Sequence, residues 1–268
     1  MKQILLVPDS FKGTLTSRQV CETMAEQLHL VFPEADITSL PVADGGEGSV
    51  DAFLAAAGGE RVELPVTGPF GEQVRGFYGL LPDGETAVLE MAACAGLPLA
   101  EGRLDPERAT TYGVGELILD AIRRGRRKVI LGLGGSCTND GGVGAAAALG
   151  AKFTRQDGTE FLPTGGTLQE IAALDCTPVA KALEGVELVA MCDIDNPLYG
   201  ENGAAYVFAP QKGADDPMVE RLDQGLSAVF SVNRAAQPFS ESRHHARENL
   251  ALAMENIART LALRPGNV

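Results

Sequence analysis

A chain of 268 residues with 45% hydrophobic and 22% charged residues has the composition of a globular protein, long enough for one large or two small domains. Its formal net charge of −14 argues against nucleic acid and anionic membranes as partners, because phosphate groups need a basic surface. The five cysteines form no CxxC pair, the N-terminus shows no secretory pattern, and no apolar run approaches a membrane span. We therefore expect a cytoplasmic protein with reduced thiols.

The first sixty residues predict two strand–loop–helix units. The run QILLV at 3–7 predicts a parallel strand, and Thr16 with Gln19 has the spacing of a capping box, which predicts a helix start. A second strand is predicted over 37–43, followed by a loop and a helix that ends at glycines. Both loops would lie at the carboxyl ends of parallel strands, where α/β proteins bind ligands.

From residue 61 the pattern changes to antiparallel strands. RVELPV, QVRGFYGLL and TAVLEMAA each predict a strand, the last two joined by the turn PDGE, and this suggests a second domain inserted into the first. A helix is predicted over 112–125, with Gly125 just past its end. A hairpin around Asp157 and Gly158 and a buried strand over 186–192 follow.

The C-terminal part predicts a short strand and a helix. The run AVFSV at 228–232 has the composition of a strand. The final helix would place Leu250, Met254, Ile257 and Leu261 on one face.

Four loops share one character, in that small and acidic residues follow the end of a strand. They are PDSFKGTLTS (8–17), ADGGEGS (43–49), GGSCTNDGG (134–142) and CDIDNPL (192–198). Carboxylates gathered at one edge repel each other unless they share a proton or a cation, and Mg²⁺ with nucleotide phosphates is the usual solution. Each loop alone also fits a simple turn in which an aspartate bonds its own backbone.

The glycine-rich loop at 134–144 lacks the lysine of a Walker A loop. Ser136, Thr138 and Asn139, together with backbone N–H groups, could surround phosphate oxygens without one. Lys12 is the cation inside the four loops, and it fits either a solvated surface lysine or a point charge that pairs with phosphate or carboxylate. Lys212, in APQKGA, is a second candidate.

Six ordered blocks together resemble the bacterial type-1 glycerate kinases, from residue 1 to about 226. They are PDSFKGTLTS, PVADGGEGSVDAF, VTGPFG, LEMAACAGL, GGSCTNDGGVGAAAALGAKF and CDIDNPLYGENGAAYVFAPQKGA. The resemblance implies an α/β fold of two domains. One is a Rossmann-like parallel-sheet domain formed by both chain ends, residues 1–64 plus 225–268 and incomplete here, and the other is an inserted α/β domain over residues 65–224.

The resemblance also implies ATP-dependent phosphorylation of glycerate, with 2-phosphoglycerate favoured over 3-phosphoglycerate as the product and Mg²⁺ as the metal. Lys12, Asp44 and Asp193 would be the catalytic residues, and Asp44 and Asp193 would also be the candidate Mg²⁺ ligands. Lys12 would meet the substrate carboxylate or the transferred phosphoryl group. The remaining residues expected to bind substrate or nucleotide are Asp9, Ser10, Gly45, Gly46, Glu47, Gly134, Gly135, Ser136, Thr138, Asn139, Asp140, Asn196 and Lys212.

The chain departs from the family pattern after residue 224. The family blocks GAGAAGG and TGEGRID do not occur, so the chain resembles a glycerate kinase with an internal deletion near residues 224–226. Sheet edges and apolar helix faces would then be exposed unless another chain covers them, and a homodimer is one such arrangement. Because both blocks belong to the expected cleft, we expect low or absent activity.

Two other functions stay open on the sequence. A non-catalytic protein would keep a glycerate or nucleotide pocket without turnover. An NAD(P)-dependent oxidoreductase would also contain strand–glycine loop–helix units, but LLVPDSFKG lacks the G-x-G-x-x-G spacing that such enzymes carry after the first strand.

Overall fold

The architecture is that of a computed structural model, which describes residues 2–11, 14–192 and 194–235. Helices and strands alternate along the chain, so the fold is of the mixed α/β class that the sequence predicts. The elements are β1 Gln3–Leu6, α1 Ser17–Val31, β2 Asp36–Ser39, α2 Ser49–Ala57, β3 Glu60–Thr67, β4 Gln73–Leu80, β5 Thr86–Glu90, α3 Ala92–Ala95, α4 Tyr112–Arg123, β6 Lys128–Gly132, α5 Val143–Ala148, β7 Lys152–Thr154, β8 Glu160–Phe161, β9 Ala173–Asp175, α6 Thr177–Ala182, β10 Glu187–Met191, α7 Ala204–Phe208 and α8 Asp216–Ala235. Short 3-10 turns lie at Leu97–Ala100, Gly165–Glu170 and Pro210–Lys212.

The N-terminal unit consists of β1 and β2, paired in parallel, and the connecting helix α1. The predicted capping box is confirmed. The Gln19 N–H donates to Thr16 Oγ1 at 3.2 Å, and the Thr16 N–H donates to Gln19 Oε1 at 2.9 Å. These two bonds satisfy two donors at the helix start, so α1 begins at Ser17.

The central sheet has five strands in the order β10-β6-β5-β4-β3. Strands β10, β6 and β5 are parallel, whereas β4 pairs with both β5 and β3 in antiparallel fashion. The predicted turn between the second and third strands of this region is therefore confirmed. β10 lies at the edge of the sheet and none of its residues is fully buried, so the prediction of a buried strand there is wrong.

Helices cover both faces of the central sheet. Gly76 and Gly79 lie on β4 at positions of opposite parity and therefore face opposite sides. A side chain at Gly76 would meet Leu117 of α4, and one at Gly79 would meet Leu54 of α2. Coverage on both faces explains why β5 is buried at every position.

The main core lies between the central sheet and α4, with α5 packed beside α4. Tyr78, Leu89, Leu117 and Ile118 are all 0% exposed. The Tyr78 hydroxyl is satisfied because it donates to Asp120 Oδ2 at 2.7 Å. Burial and this carboxylate raise the pKa of Tyr78 well above its ordinary value.

The hairpin around Asp157 and Gly158 is confirmed as β7–β8, and β9 completes a small three-stranded sheet. Gly158 has a φ of 85°, which suits its turn position. The predicted helix over 112–125 is confirmed as α4, and Gly125 lies just past its end with a φ of 87°.

The run at 228–232 is helical, so the predicted strand there is wrong. It belongs to α8, whose buried residues Val219, Leu222 and Leu226 follow helical spacing, and Val229 continues that row. α8 packs along the 3-10 turn at Gly165–Glu170. This packing outweighs the strand preference of the β-branched residues.

The predicted domain division stays a prediction. Its boundary at residues 64 and 65 lies inside β3, and its boundary at 224 and 225 lies inside α8, and both elements are continuous. The predicted terminal helix that carries Leu250 and Leu261 lies outside the described residues. In the described part of the chain, no helix has the length and apolar character needed to cross a membrane.

Candidate active site

Three parallel strands end side by side, and the candidate site is built at that edge. Gly132, the last residue of β6, is level with Glu90 of β5 on one side and with Met191 of β10 on the other. All three strands therefore end at the same height in the sheet. Two of the four predicted loops, 134–142 and 192–198, start there.

The loop between β6 and α5 has the predicted strand–loop–helix arrangement. Gly135, Gly141 and Gly142 have φ values of 73°, 60° and 81°, in the left-handed region where side chains are strained. Gly134 and Gly135 are exposed and Ser136 is half-buried, whereas the following residues 137–140 are buried. The first half of the loop is therefore its accessible half.

Asp140 is 1% exposed and holds the second half of the loop from inside. Its Oδ2 accepts bonds from the N–H and the hydroxyl of Thr111, both at 2.8 Å, and its Oδ1 accepts from the Gly142 N–H at 3.0 Å. Burial raises the pKa of Asp140, and these hydrogen bonds oppose the shift. These bonds show that Asp140 shapes the loop, and the ligand contact that the sequence predicts for Asp140 stays a prediction.

Lys212 supplies the lysine that the glycine loop itself lacks. It ends the 3-10 turn at Pro210–Lys212 and is 8% exposed. Its Nζ donates to Ser136 Oγ at 3.0 Å and to the Thr138 carbonyl oxygen at 2.5 Å. Burial lowers the pKa of Lys212 from 10.5 to about 8, and nearby Cys137 and Asp140 act in the opposite direction.

The loop at 43–49 lies against the glycine loop, as the shared-edge prediction requires. The Gly134 N–H donates to the Gly45 carbonyl oxygen at 3.0 Å. A side-chain carbon at Gly134 would lie 2.7 Å from the Cα of Gly46, so only glycine allows this approach. Asp44 and Glu47 are exposed at this contact, and Asp44 Oδ1 accepts from the Gly46 N–H at 3.1 Å.

Glu90 supports the loop at 43–49, and the sequence prediction missed it. It is 1% exposed at the end of β5, and its two oxygens accept from the N–H groups of Gly48 at 3.3 Å and Val50 at 2.9 Å. Gly48 has no side chain to cap α2, so Glu90 takes over that task. Burial raises the pKa of Glu90. The sequence signal that could have found Glu90 is its position within the apolar run TAVLEMAA, since a charged residue there is buried and needs partners.

The loop after β1 is tied to the segment that precedes Asp44. The Ser17 hydroxyl donates to the Pro8 carbonyl oxygen at 2.6 Å and accepts from the Val42 N–H at 3.0 Å. Asp9 is exposed, and its Oδ1 accepts from the Ser10 N–H at 2.7 Å. Lys12, predicted to be catalytic, lies outside the described residues.

The segment after β10 is described except at Asp193, the other predicted catalytic residue and metal ligand. Asn196 is half-buried, and its Nδ2 donates to the Asn202 carbonyl oxygen at 3.0 Å. This bond holds the turn that follows. Direct contact between Asn196 and a ligand stays a prediction.

Mg²⁺ is the metal that the sequence predicts for this site, with Asp44 and Asp193 as ligands, and Asp44 is the one of the two that the structure describes. The described residues contain no cluster of three histidine, cysteine, aspartate or glutamate side chains suited to hold a metal ion. Mg²⁺ prefers one or two carboxylates together with phosphate oxygens and water. Asp44, exposed beside the glycine loop, is a donor of the right kind.

The fold and the site together define an α/β protein whose glycine-rich loops meet at the carboxyl ends of parallel strands. Ligands with anionic groups bind at this position in α/β proteins. Residues 4–229 match the family model described as the glycerate kinase family, and the chain belongs to that family. This result removes support for the oxidoreductase alternative.

Several relatives agree with the family assignment. The chain is 46% identical over 226 residues to glycerate kinase of Bacillus subtilis, covering 84% of this chain and 59% of that protein. It is 43% identical over 236 residues to glycerate 2-kinase of Escherichia coli, covering 87% of this chain and 62% of that protein. A crystal structure of a protein assigned as glycerate kinase 2 from Salmonella typhimurium LT2 matches with a TM-score of 0.76 and 40% identity, covering 87% of this chain and 63% of the other. The chain thus spans about three fifths of the length of these relatives.

Proposed function

We propose that this protein phosphorylates glycerate with ATP as the phosphate donor, and that the product is 2-phosphoglycerate. The observation that carries the proposal is the contact between the loops at 43–49 and 134–142, with Gly134 bonded to Gly45 at the edge where three parallel strands end. The names of the relatives, glycerate kinase and glycerate 2-kinase, support the substrate and the position of transfer.

Phosphoryl transfer depends mainly on positioning and on stabilising charge. The exposed glycines 134 and 135 leave the loop backbone accessible to phosphate oxygens, and the Ser136 hydroxyl lies beside them. Asn139 adds a further donor, since its Nδ2 is buried and has no hydrogen-bond partner among the described residues. A buried donor without a partner costs about 1–3 kcal/mol, and a ligand oxygen would remove that cost.

Asp44 is exposed at this contact. We propose that its carboxylate accepts the proton of the glycerate hydroxyl or binds the metal. Mg²⁺, when bound with ATP, would neutralise charge on the β- and γ-phosphates. Lys12 and Asp193 remain proposed catalytic residues from the family resemblance alone, and Asp193 is also proposed as a second metal ligand. Gly45, Gly46, Glu47, Asp9, Ser10 and Asn196 are proposed to complete the walls of the cleft.

The direct test is an ADP-release assay of the purified protein with D-glycerate, ATP and Mg²⁺, with NMR analysis of the product. We expect 2-phosphoglycerate, formed more slowly than by an ordinary kinase because the family blocks GAGAAGG and TGEGRID do not occur in the chain. The Asp44→Asn variant, compared with the wild-type protein, tests the role of Asp44. Turnover that D44N leaves unchanged would remove Asp44 from the mechanism, and 3-phosphoglycerate as the product would contradict the proposed position.

The absence of those two blocks also favours a second candidate, a protein that binds glycerate or nucleotide without turnover. Calorimetric titration with ATP–Mg²⁺ and, separately, with D-glycerate distinguishes the two. Heat of binding without ADP release supports the binding protein, whereas ADP release supports the kinase.

A further inference from the structure

The Lys212 ammonium is buried, yet its contacts are with the glycine loop and not with an acidic side chain. No carboxylate forms an ion pair with it in the described part of the chain, although Asp140 contributes at longer range. A buried ammonium needs compensating acceptors. Here they come from Ser136 and Thr138, which lie 76 and 74 residues away along the chain.

The turn that carries Lys212 is itself held firmly. The N–H groups of Lys212 and Gly213 donate to the carbonyl oxygens of Ala209 and Pro210, at 2.9 and 3.0 Å. Gly213 has a φ of 99°, and a side-chain carbon there would lie 2.7 Å from the Cβ of Leu104. The lysine therefore reaches the loop from a fixed base and can hold it in one conformation.

The bond to the Thr138 carbonyl fixes the peptide unit between Thr138 and Asn139. This peptide is trans, so its N–H, which belongs to Asn139, points away from its carbonyl and hence away from Lys212. Among the described residues, the Asn139 N–H makes no hydrogen bond. It is therefore a backbone donor with a fixed direction and no partner.

The bond to Ser136 has a matching effect on the hydroxyl. Because Ser136 Oγ accepts a hydrogen bond from the Lys212 ammonium, the hydroxyl hydrogen of Ser136 can be donated to another acceptor. A lysine ammonium has donors and no acceptor, so the direction of this bond is fixed.

We propose that Lys212 is a positioning residue that presents the Ser136 hydroxyl and the Asn139 N–H to an anionic oxygen of the ligand, without itself touching the ligand. This proposal rests on the proposed function, which supplies two anions, a phosphate of ATP and the carboxylate of glycerate. It differs from the role expected from the sequence, in which Lys212 binds the ligand directly.

A double-mutant cycle with calorimetry tests whether Lys212 acts through Ser136. Lys212→Met keeps the aliphatic stem and removes the donors, and Lys181→Met, at an exposed lysine of α6, is the control. We expect K212M to weaken binding of either ATP–Mg²⁺ or D-glycerate about tenfold or more, and K181M to change neither. Separate titrations show which anion the loop receives.

The Ser136→Ala background separates the two roles. If Lys212 works through the loop, K212M should weaken binding much less in S136A than in the wild-type protein, about threefold at most. Equal losses in both backgrounds would mean that Lys212 does not act through Ser136, and no loss in the wild-type background would mean that Lys212 does not support ligand binding. Each result overturns the proposal.

The pH dependence of binding adds a readout that a purely structural role would not move. The ionisable groups near Lys212 are Cys137 and Asp140. We expect wild-type affinity to fall as pH rises through about 8, where Lys212 loses its proton, and the affinity of Lys212→Gln to stay flat over that range. Parallel profiles of the two proteins would contradict the proposal. K212Q also replaces K212M in the cycle if K212M does not fold.

Hydrogen exchange in the free protein keeps this test independent of the proposed function. We expect K212M to speed amide exchange in residues 134–142 about tenfold or more while exchange in β4 and β5 is unchanged. A protein that binds neither ATP nor glycerate would refute the proposed function, and the exchange experiment would still decide whether Lys212 holds the loop. Unchanged exchange in the loop would overturn the positioning role.

Discussion

The central sheet and the N-terminal unit differ in how their apolar side chains are covered. In the central sheet, Tyr78, Leu89 and Leu117 are 0% exposed beneath helices. In the β1–α1–β2 unit, Leu30 and Val31 are 76% and 67% exposed, and the buried hydrophobic residues there are Leu6, Val20 and Cys21. A parallel pair of strands is normally buried on both faces, so this unit has little core of its own.

The difference matters because the candidate site uses both regions. The glycine loop rests on the central core through Asp140 and Lys212, whereas the loop after β1 is tied down through Ser17. One wall of the site is therefore built on a stable base. The other wall depends on a small unit whose helix α1 carries exposed apolar side chains.

The largest effect is expected from a cavity in the central core. Leu89→Ala should lower the free energy of unfolding by ~2–5 kcal/mol, because Leu89 is 0% exposed between helices. Leu30→Ala, the matched control in the N-terminal unit, should change it by less than ~0.5 kcal/mol, since Leu30 is 76% exposed. Urea denaturation of both variants measures the contrast.

A large loss in Leu30→Ala would show that another chain covers the N-terminal unit. Light scattering at several protein concentrations would then show a dimer that Leu30→Ala weakens. A small loss in Leu89→Ala would contradict the assignment of the central sheet as the main core.

The next effect concerns the pH dependence that Lys212 gives to stability. Burial lowers the pKa of Lys212 from its ordinary value of 10.5 to about 8 in the folded protein, so between these pH values the unfolded chain binds a proton that the folded protein has released. Stability of the wild-type protein should therefore rise with pH over this window, relative to Lys212→Met, which has no such group. The full change is on the order of 3 kcal/mol, since one pKa unit corresponds to about 1.4 kcal/mol.

Denaturation of wild type and K212M at pH 7, 8, 9 and 10 measures this difference, and all other titrating groups are shared by the two proteins. A constant difference across the series would mean that Lys212 is not buried as the structure shows. The measurement probes the base of the glycine loop and needs no ligand.

Glu90 should have a somewhat smaller effect, although it joins the loop at 43–49 to the central sheet. Glu90→Ala leaves the N–H groups of Gly48 and Val50 without their acceptor, and this should cost ~1–3 kcal/mol. Glu187→Ala, at an exposed ion pair with Lys128 on β10, should cost ~1 kcal/mol or less. Equal losses from the two variants would show that Glu90 does not hold α2.

Local sequence patterns predicted much of the fold, because caps, turns and alternation act over a few residues. Thr16 with Gln19 and Asp157 with Gly158 each define their structure from their own chemistry. The strand prediction for residues 228–232 was wrong because the packing of the apolar row of α8 outweighs the strand-like composition of this run. That packing cannot be read from the run itself.

The sequence predicted that the loops at 43–49 and 134–142 meet, but not the residues that support them. Small and acidic residues after strands indicate ligand loops, and that role of the two segments stays a prediction. The partners of Lys212 and Glu90 are distant in sequence, with Ser136 76 residues and Val50 40 residues away. Contacts of that kind follow from strand order, so the buried charge of Lys212 could not be assigned to the loop beforehand.

The smallest effect tests whether the N-terminal unit opens independently of the core. Thr16→Ala removes the capping box of α1 and should cost about 1 kcal/mol, which speeds amide exchange in α1 about fivefold. Thr23→Ala, an exposed change in the interior of the same helix, should leave that exchange nearly unchanged. If the unit opens independently, exchange in β5 and β6 stays at the wild-type rate in both variants. Faster exchange in β5 and β6 of T16A would instead mean that the two regions unfold together. The central sheet and the N-terminal unit would then differ in how their apolar side chains are covered, but not in stability.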